Sequence, residues 1–213
     1  MDSHTMVIAM DRIKEAETPR NARLWTTSRN VELWDPRAPL ARDAGNEAAV
    51  FHTESGERNW FILCGEVGRG KTAWATGCFN DMIVKKVSKN ENWGSNRCPK
   101  WVTEAGLFRR AEASSKAGYH GRAIYLGSLI QCPILLLDDL GGNRRQLTDW
   151  QGGAMRDLLS ERHANLRPTM ITTNLETWDD LEKRYGDHIV SRLIEACGFM
   201  IRMDGPDRRT NVK

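Results

Sequence analysis

Eight residues, Gly65-Glu66-Val67-Gly68-Arg69-Gly70-Lys71-Thr72, spell a glycine-rich turn closed by a lysine and a threonine. These types at this spacing suit anion chemistry. Glycines let successive backbone N–H groups curl around phosphate oxygens, the lysine reaches the β- and γ-phosphates, and the hydroxyl faces a divalent cation. So short a pattern also arises by chance, and the rival reading is a plain strand-to-helix turn. The flanking residues decide between them: the apolar run "WFILC" precedes the turn and the helical "KTAWATGCFNDMIVKK" follows it. Gly65 through Thr72, with Ala73 beside them, are therefore the expected phosphate-binding residues.

A phosphate loop needs a carboxylate at the end of a neighbouring strand to hold the cation. "ILLLDDL" supplies two, Asp138 after four apolar residues and Asp139 directly behind it. Adjacent carboxylates at a buried strand end raise each other's pKa, and a cation resolves the conflict. Thr72 and Asp138 are assigned to Mg²⁺, directly or through water, and Asp139 to orienting or activating an attacking water, a role usually filled by glutamate. The competing reading of each Asp is a cap on the following turn. The run "PTMITTN" ends in Thr172, Thr173 and Asn174, where an amide beside the γ-phosphate can hold the lytic water. A turn-forming Asn is the alternative.

The elements that must position these groups alternate along the chain. Apolar runs at 60–64, 100–104, 133–139, 168–174 and 199–203 are separated by helical stretches, the order of an α/β domain with a mostly parallel sheet. The run Ile134 to Leu137 is apolar throughout, as a strand buried on both faces should be. Thr148, Thr177 with Asp180, and Asp187 read as caps of three successive helices, the last stopping at Gly198. A further helix is expected near 10–17 and another leading in from Leu40, with a long surface loop at 85–97.

The length of 213 residues suits one domain with a core, and the net charge of +3 permits a nucleic-acid partner without requiring one. Five scattered cysteines without a C-x-x-C pair argue against a disulfide framework or zinc site and for small core residues in a reducing cytosol. The N-terminus meets acid and base too early for a signal peptide, and no apolar run approaches a membrane span. A cytoplasmic protein without a membrane partner is expected.

With these parts in this order the chain resembles the AAA+ ATPases, and within them the helicase-loader and transposition-helper group of DnaC, DnaI and IstB. The carrying motifs are "GEVGRGKT", "ILLLDDLGG", "RPTMITTNL", "GDHIVSRLIE" and "MDGPDRR", spread from about Leu40 to Arg209. The resemblance implies ATP with Mg²⁺ as cofactors and a five-stranded sheet of order 5-1-4-3-2. With the sequence ending at Lys213, little or no helical lid is expected. It implies that Arg192 is an arginine finger reaching the nucleotide of an adjacent subunit, the bland alternative being an exposed helix arginine. It places the second sensor arginine at Arg209, with Arg208 as the neighbouring alternative. Glu66, Val67 and Arg69 depart from the residues common in the family's loop, a departure that backbone binding tolerates.

Residues 1–39 are then expected to form a partner-binding arm and 40–213 the ATPase domain. Trp25 and Trp34 in the arm either anchor a partner or pack on the protein itself. The leading reading is a DnaC-like loader that assembles into a ring, spiral or filament on ATP, grips single-stranded DNA and delivers a replicative helicase. Its closest rival is an IstB-like helper of a transposase. A weakly hydrolysing DNA-binding filament module and a small-molecule kinase are the readings from other classes. Lys85, Lys86, Lys89, Arg109, Arg110 and Lys116 are the candidate DNA contacts, their alternative being a solvated charged face.

Overall fold

The computed structural model describes residues 5–9, 60–76, 78–79, 99–116, 120–143, 146–198, 200–204 and 207, with side chains from residue 60 onward. Strands β1 (Thr5–Ala9), β2 (Trp60–Cys64), β3 (Lys100–Thr103), β4 (Leu135–Leu140), β5 (Thr169–Thr173) and β6 (Met200–Asp204) form one sheet of order β1-β6-β2-β5-β4-β3. Every pairing in it is parallel. The five expected runs are β2 to β6, and their order is the expected 5-1-4-3-2. β1 is an addition: Thr5–Ala9 lies along β6 at the edge, from Thr5 beside Met200 to Ala9 beside Asp204. The sequence reading passed over "TMVIA" because a short edge strand takes its definition from a partner distant in sequence rather than from a local period.

Period-2 alternation sorts the central strands into two faces. Trp60, Ile62, Cys64, Leu135, Leu137, Ile171 and Met200 join one apolar cluster. That cluster also takes Leu107 and Phe108 of α2 (Glu104–Ser115), Leu129 of α3 (Gly121–Gln131) and Met155, Leu158 and Leu159 of α4 (Asp149–Ala164). Leu181 of α5 (Trp178–Tyr185) and Leu193 of α6 (Asp187–Cys197) complete it. The intervening residues Phe61, Leu63, Leu136, Met170 and Ile201 are equally buried outside that cluster. On their side lies α1, which opens at Lys71 and is helical over 71–76; its Trp74 meets Phe61 edge to face at 5.7 Å between centroids.

Two helix starts follow the expected caps. Thr148 and Gln151 form a reciprocal capping box on α4, and the Thr177 hydroxyl accepts from the Asp180 N–H at 3.1 Å on α5. Asp187 does not cap α6; it is the first helical residue, and Gly186 closes α5 and opens α6 with φ 82° and ψ 162°. Two helices sharing one junction residue need a backbone conformation open to glycine alone, which overrides the capping preference of the aspartate. β3 likewise ends one residue earlier than expected. Thr103 caps α2, accepting from the Gly106 N–H at 3.0 Å, so Glu104 belongs to the helix.

Cys64, Cys78, Cys132 and Cys197 are buried, as a reading of small core residues requires. The expectations for the helices near 10–17 and after Leu40, Trp25, Trp34, the 85–97 loop, Lys85, Lys86, Lys89, Cys98, Arg208 and Arg209 lie outside the described residues. Among those described, no helix is long and apolar enough to cross a membrane.

Candidate nucleotide site

The phosphate-loop residues sit at the C-terminal end of β2, in the middle of a parallel sheet, where such sheets present their crevice. Gly65, Gly68 and Gly70 have φ of 135°, 85° and 88°, a region that side chains disfavour. Gly65 is further constrained by packing, since a Cβ there would stand 2.6 Å from the Met203 carbonyl oxygen. The loop thus lies directly on the end of β6. Arg69 pairs with Glu66 across the outside of the loop, and Val67 is exposed beside them. Ala73 follows Thr72 in the first turn of α1.

Lys71 is only 7% exposed and uses all its donors. Its ammonium donates to the Gly65 and Glu66 carbonyls at 2.7 Å each and to Asn174 Oδ1 at 2.8 Å. Burial pulls its pKa below the usual lysine value; the negative field of Asp139, together with Cys64, Glu176 and Asp138, works in the opposite direction. Asn174 in turn donates from Nδ2 to Asp139 Oδ1 at 3.1 Å. The amide therefore links the loop lysine to the second aspartate, bringing the tips of β2, β4 and β5 together.

Asp138 and Asp139 diverge because β4 carries a bulge. Leu137 stands opposite Ile171 but Leu140 opposite Thr173, so β4 holds one residue more than β5 over this stretch. The alternation on the clustered face runs Leu135, Leu137 and then Leu140. Asp139 absorbs the extra residue at φ 55°, a conformation aspartate tolerates better than most side chains. Asp138 stays buried, at 4% exposure, and faces α1; its Oδ1 accepts from Thr72 Oγ1 at 2.9 Å and from Thr172 Oγ1 at 2.5 Å. Asp139 is turned outward and exposed.

A hydroxyl and a carboxylate, both hard oxygen donors, are what Mg²⁺ takes from a protein when phosphates and water fill its remaining positions. Thr72 and Asp138 fit that ion. No group of three or more His, Cys, Asp or Glu among the described residues forms a cage by itself, so a cation at this site would depend on the phosphates.

Thr172 is a member of the site left without a role by the reading of the sequence. Besides donating to Asp138, it accepts the Asp139 N–H at 2.9 Å, so one hydroxyl holds both aspartates. The signal was its place in β5: Met170, Thr172 and Asn174 share a face, so a polar residue two before Asn174 had to point at the same crevice. Thr172→Val keeps the shape but takes a donor from the buried Asp138 carboxylate and the acceptor from the half-buried Asp139 N–H, a cost of about 1–3 kcal/mol. The expected outcome is that nucleotide binding needs a higher Mg²⁺ concentration for half-saturation, and a magnesium titration matching wild type would refute the role.

The other candidates lie apart from this cluster. Arg192 projects from the exposed side of α6, 47% exposed, and pairs with Glu195 at 2.8 Å. Arg109 and Arg110 are exposed on α2, with Lys116 exposed at its C-cap.

No family model matches the sequence. Among curated proteins, the chain is 26% identical over 186 residues to the uncharacterized protein YqaM of Bacillus subtilis strain 168, covering 83% of this chain. It spans about half, 54%, of that relative's length. Among solved structures it is similar to the DnaC helicase loader, with a TM-score of 0.58, 22% identity and coverage of 84% of this chain and 98% of that one. The DnaI structure aligns over 97% of this chain and 98% of its own, at a TM-score of 0.54 and 17% identity. DnaA bound to AMPPCP and single-stranded DNA aligns at 0.58 with 14% identity, over 82% of this chain and 48% of that one. At these identities the likeness speaks for architecture, and it agrees with the motif order: the chain has the AAA+ P-loop fold of the DnaC, DnaI and DnaA structures.

Proposed function

We propose that the protein is an ATP-dependent switch of the DnaC kind, which binds ATP with Mg²⁺, assembles on single-stranded DNA and delivers a replicative helicase. The observation that carries the nucleotide reading is the chain Lys71–Asn174–Asp139, converging with Thr72–Asp138 at one end of the sheet. Loop amides and Lys71 hold the phosphates and neutralise their charge. Mg²⁺, when bound by Thr72 and Asp138, spreads the negative charge of the transferred phosphoryl group. Asn174 orients a water whose proton Asp139 accepts as the water oxygen bonds to the γ-phosphorus. The bond to the bridging oxygen then breaks and ADP keeps that oxygen.

Arg192 has no part in this cluster, and its exposure suits a residue that completes the site of a second copy. A cation supplied by a neighbour stabilises charge on the phosphoryl group and makes hydrolysis depend on assembly. The DnaA neighbour bound to AMPPCP and single-stranded DNA supports the reading of nucleotide and DNA binding, and exposed Arg109, Arg110 and Lys116 supply charge for backbone phosphates. Residues 1–39, of which Thr5–Ala9 adds an edge strand to the sheet, are proposed as the client-binding arm, 40–213 as the ATPase domain, and the cytoplasm as the location.

The test is phosphate release measured against protein concentration, with and without single-stranded DNA. Turnover per molecule is expected to rise with concentration and with DNA. Arg192→Ala should lose it, by about 10³-fold or more if the residue acts as other arginine fingers do, while still binding nucleotide. Nucleotide binding without turnover in an assembled, DNA-bound sample would sink the enzyme reading. Affinity capture in ATP then identifies the client: a transposase in place of a replicative helicase would favour an IstB-like helper.

A further inference from the structure

A buried charge cluster sits behind the candidate site rather than in it. Glu104, the first residue of α2, is 2% exposed. Its Oε2 accepts the Gly141 N–H at 2.9 Å, Arg184 Nη2 reaches both carboxylate oxygens at 3.2 and 3.3 Å, and the Tyr185 hydroxyl donates to Oε1 at 3.0 Å. The cluster joins the start of α2, the turn after β4 and the end of α5. A buried ion pair is a poor source of net stability compared with apolar packing of the same volume, so what this one holds in place matters more than its strength.

What it holds is the turn that carries Asp139. Gly141 lies two residues beyond it, at φ 78°, and the Gly142 N–H closes the turn on the Asp139 carbonyl at 3.0 Å. The Asp139 carboxylate lies against Gly142, where a Cβ would stand 2.0 Å from Oδ2. A shift of the glycine pair therefore shifts the carboxylate. A cavity of about 230 Å³ borders the cluster, lined by Glu104, Phe108, Asn143, Gln146 and Arg184 among others. Gly141 itself packs against Leu175, where a Cβ would stand 2.8 Å from Cδ1, and the Gly141–Glu104 hydrogen bond adds a directional restraint to that apolar contact.

We infer that Glu104, itself oriented by Arg184, is a positioning residue that sets the Asp139 carboxylate to accept the proton of the attacking water. The inference rests on the proposed role of Asp139 in hydrolysis. Glu104 touches no reacting atom, so its loss should act on the chemical step and leave binding alone. A misplacement near 1 Å can cost about 10²-fold in rate, the loss in kcat expected for Glu104→Leu at unchanged ATP affinity.

Two further variants separate positioning from plain stability. Glu104→Gln keeps an acceptor for the Gly141 N–H and should recover most of the rate. Tyr185→Phe removes a bond to Glu104 without touching the one to Gly141, so it should lose stability but keep its kcat. Should Glu104→Leu not fold, Arg184→Lys, which keeps the charge and loses the fork, should give a graded fall in kcat at constant affinity. Single-turnover phosphate release and binding of a non-hydrolysable ATP analogue read these out together. If wild type turns over and Glu104→Leu, or Arg184→Lys in its place, matches it, the role of Glu104 is overturned alone. A rate that follows thermal stability across all variants overturns it equally. Absence of turnover in wild type overturns the ATPase reading, and this role with it.

Discussion

Lys71→Ala is expected to weaken ATP binding by about 10²-fold and to reduce phosphate release to background, since each hydrogen bond to a charged group contributes about 1.5–3 kcal/mol. The ammonium makes three hydrogen bonds within the protein, to two loop carbonyls and to Asn174. Binding a phosphate must exchange at least one of them. Alanine removes the cation and leaves the Gly65 and Glu66 carbonyls without their donor, so both the charge and the shape of the loop suffer. Lys71→Arg should not rescue it, because a planar guanidinium does not fit a position filled by a compact, 7% exposed ammonium. An equilibrium titration with a fluorescent ATP analogue reads the affinity, and wild-type binding by Lys71→Ala would refute the phosphate-loop assignment.

The same residue predicts a pH effect with a definite sign. Burial outweighs the neighbouring carboxylates and lowers the folded-state pKa of Lys71 below 10.5. Between the lowered value and 10.5 the unfolded chain binds more protons than the folded one, so the Lys71 contribution to stability rises with pH through that window. Below it, the folded protein carries the full cost of a buried ammonium. Relative to Lys71→Met, nucleotide-free wild type should therefore gain stability as the pH is raised towards 10.5. Bound phosphates, which favour the charged form, should reverse the trend.

The strands were legible because buried parallel strands carry dense apolar runs, and "ILLLDD" and "WFILC" leave little choice of period; their order in the sheet came from the family resemblance. The chemistry-bearing tips were legible because motif and strand end coincide. Features that depend on pairing were not. The β4 bulge at Asp139 is a relation between two strands, invisible in either alone, and it is what separates two adjacent aspartates into a buried and an exposed carboxylate. Glu104 read as the last residue of a strand because "KWVTE" has no internal stop. Its partners Arg184 and Tyr185, some eighty residues away, looked like ordinary positions on an amphipathic helix. Gly186 hid behind the stronger capping preference of Asp187.

Arg162 is the extreme of that kind, and it yields the largest stability effect. In "SERHA" it reads as a helix-surface arginine, yet it is 0% exposed. Its guanidinium donates to the carbonyls of Leu129, Ile130 and Cys132 at 2.8, 3.2 and 2.9 Å, to the Pro168 carbonyl at 2.6 Å and to Thr169 Oγ1 at 2.9 Å. One side chain thus satisfies the carbonyls at the end of α3 and ties them to the start of β5. No carboxylate offsets the charge among its described partners; the cation is held by carbonyl dipoles, the Thr169 hydroxyl and the Cys132 sulfur, and burial lowers its pKa from the usual arginine value. Arg162→Met removes every donor while preserving bulk, leaving buried acceptors unpaired. Breaking such a buried network costs about 3–5 kcal/mol, which for a chain of this length lowers the thermal midpoint by about 10 °C. Arg162→Lys should recover little, because a compact ammonium cannot span the fork. These contacts lie at the N-terminal end of β5, away from the strand tips that form the candidate nucleotide site. Below its own midpoint, Arg162→Met should therefore bind ATP with wild-type affinity. Chemical denaturation and nucleotide titration of the same sample check both halves. An unchanged denaturation midpoint would show that the cation contributes nothing to the fold, and a lost affinity in the folded variant would show that the two ends of the sheet are coupled.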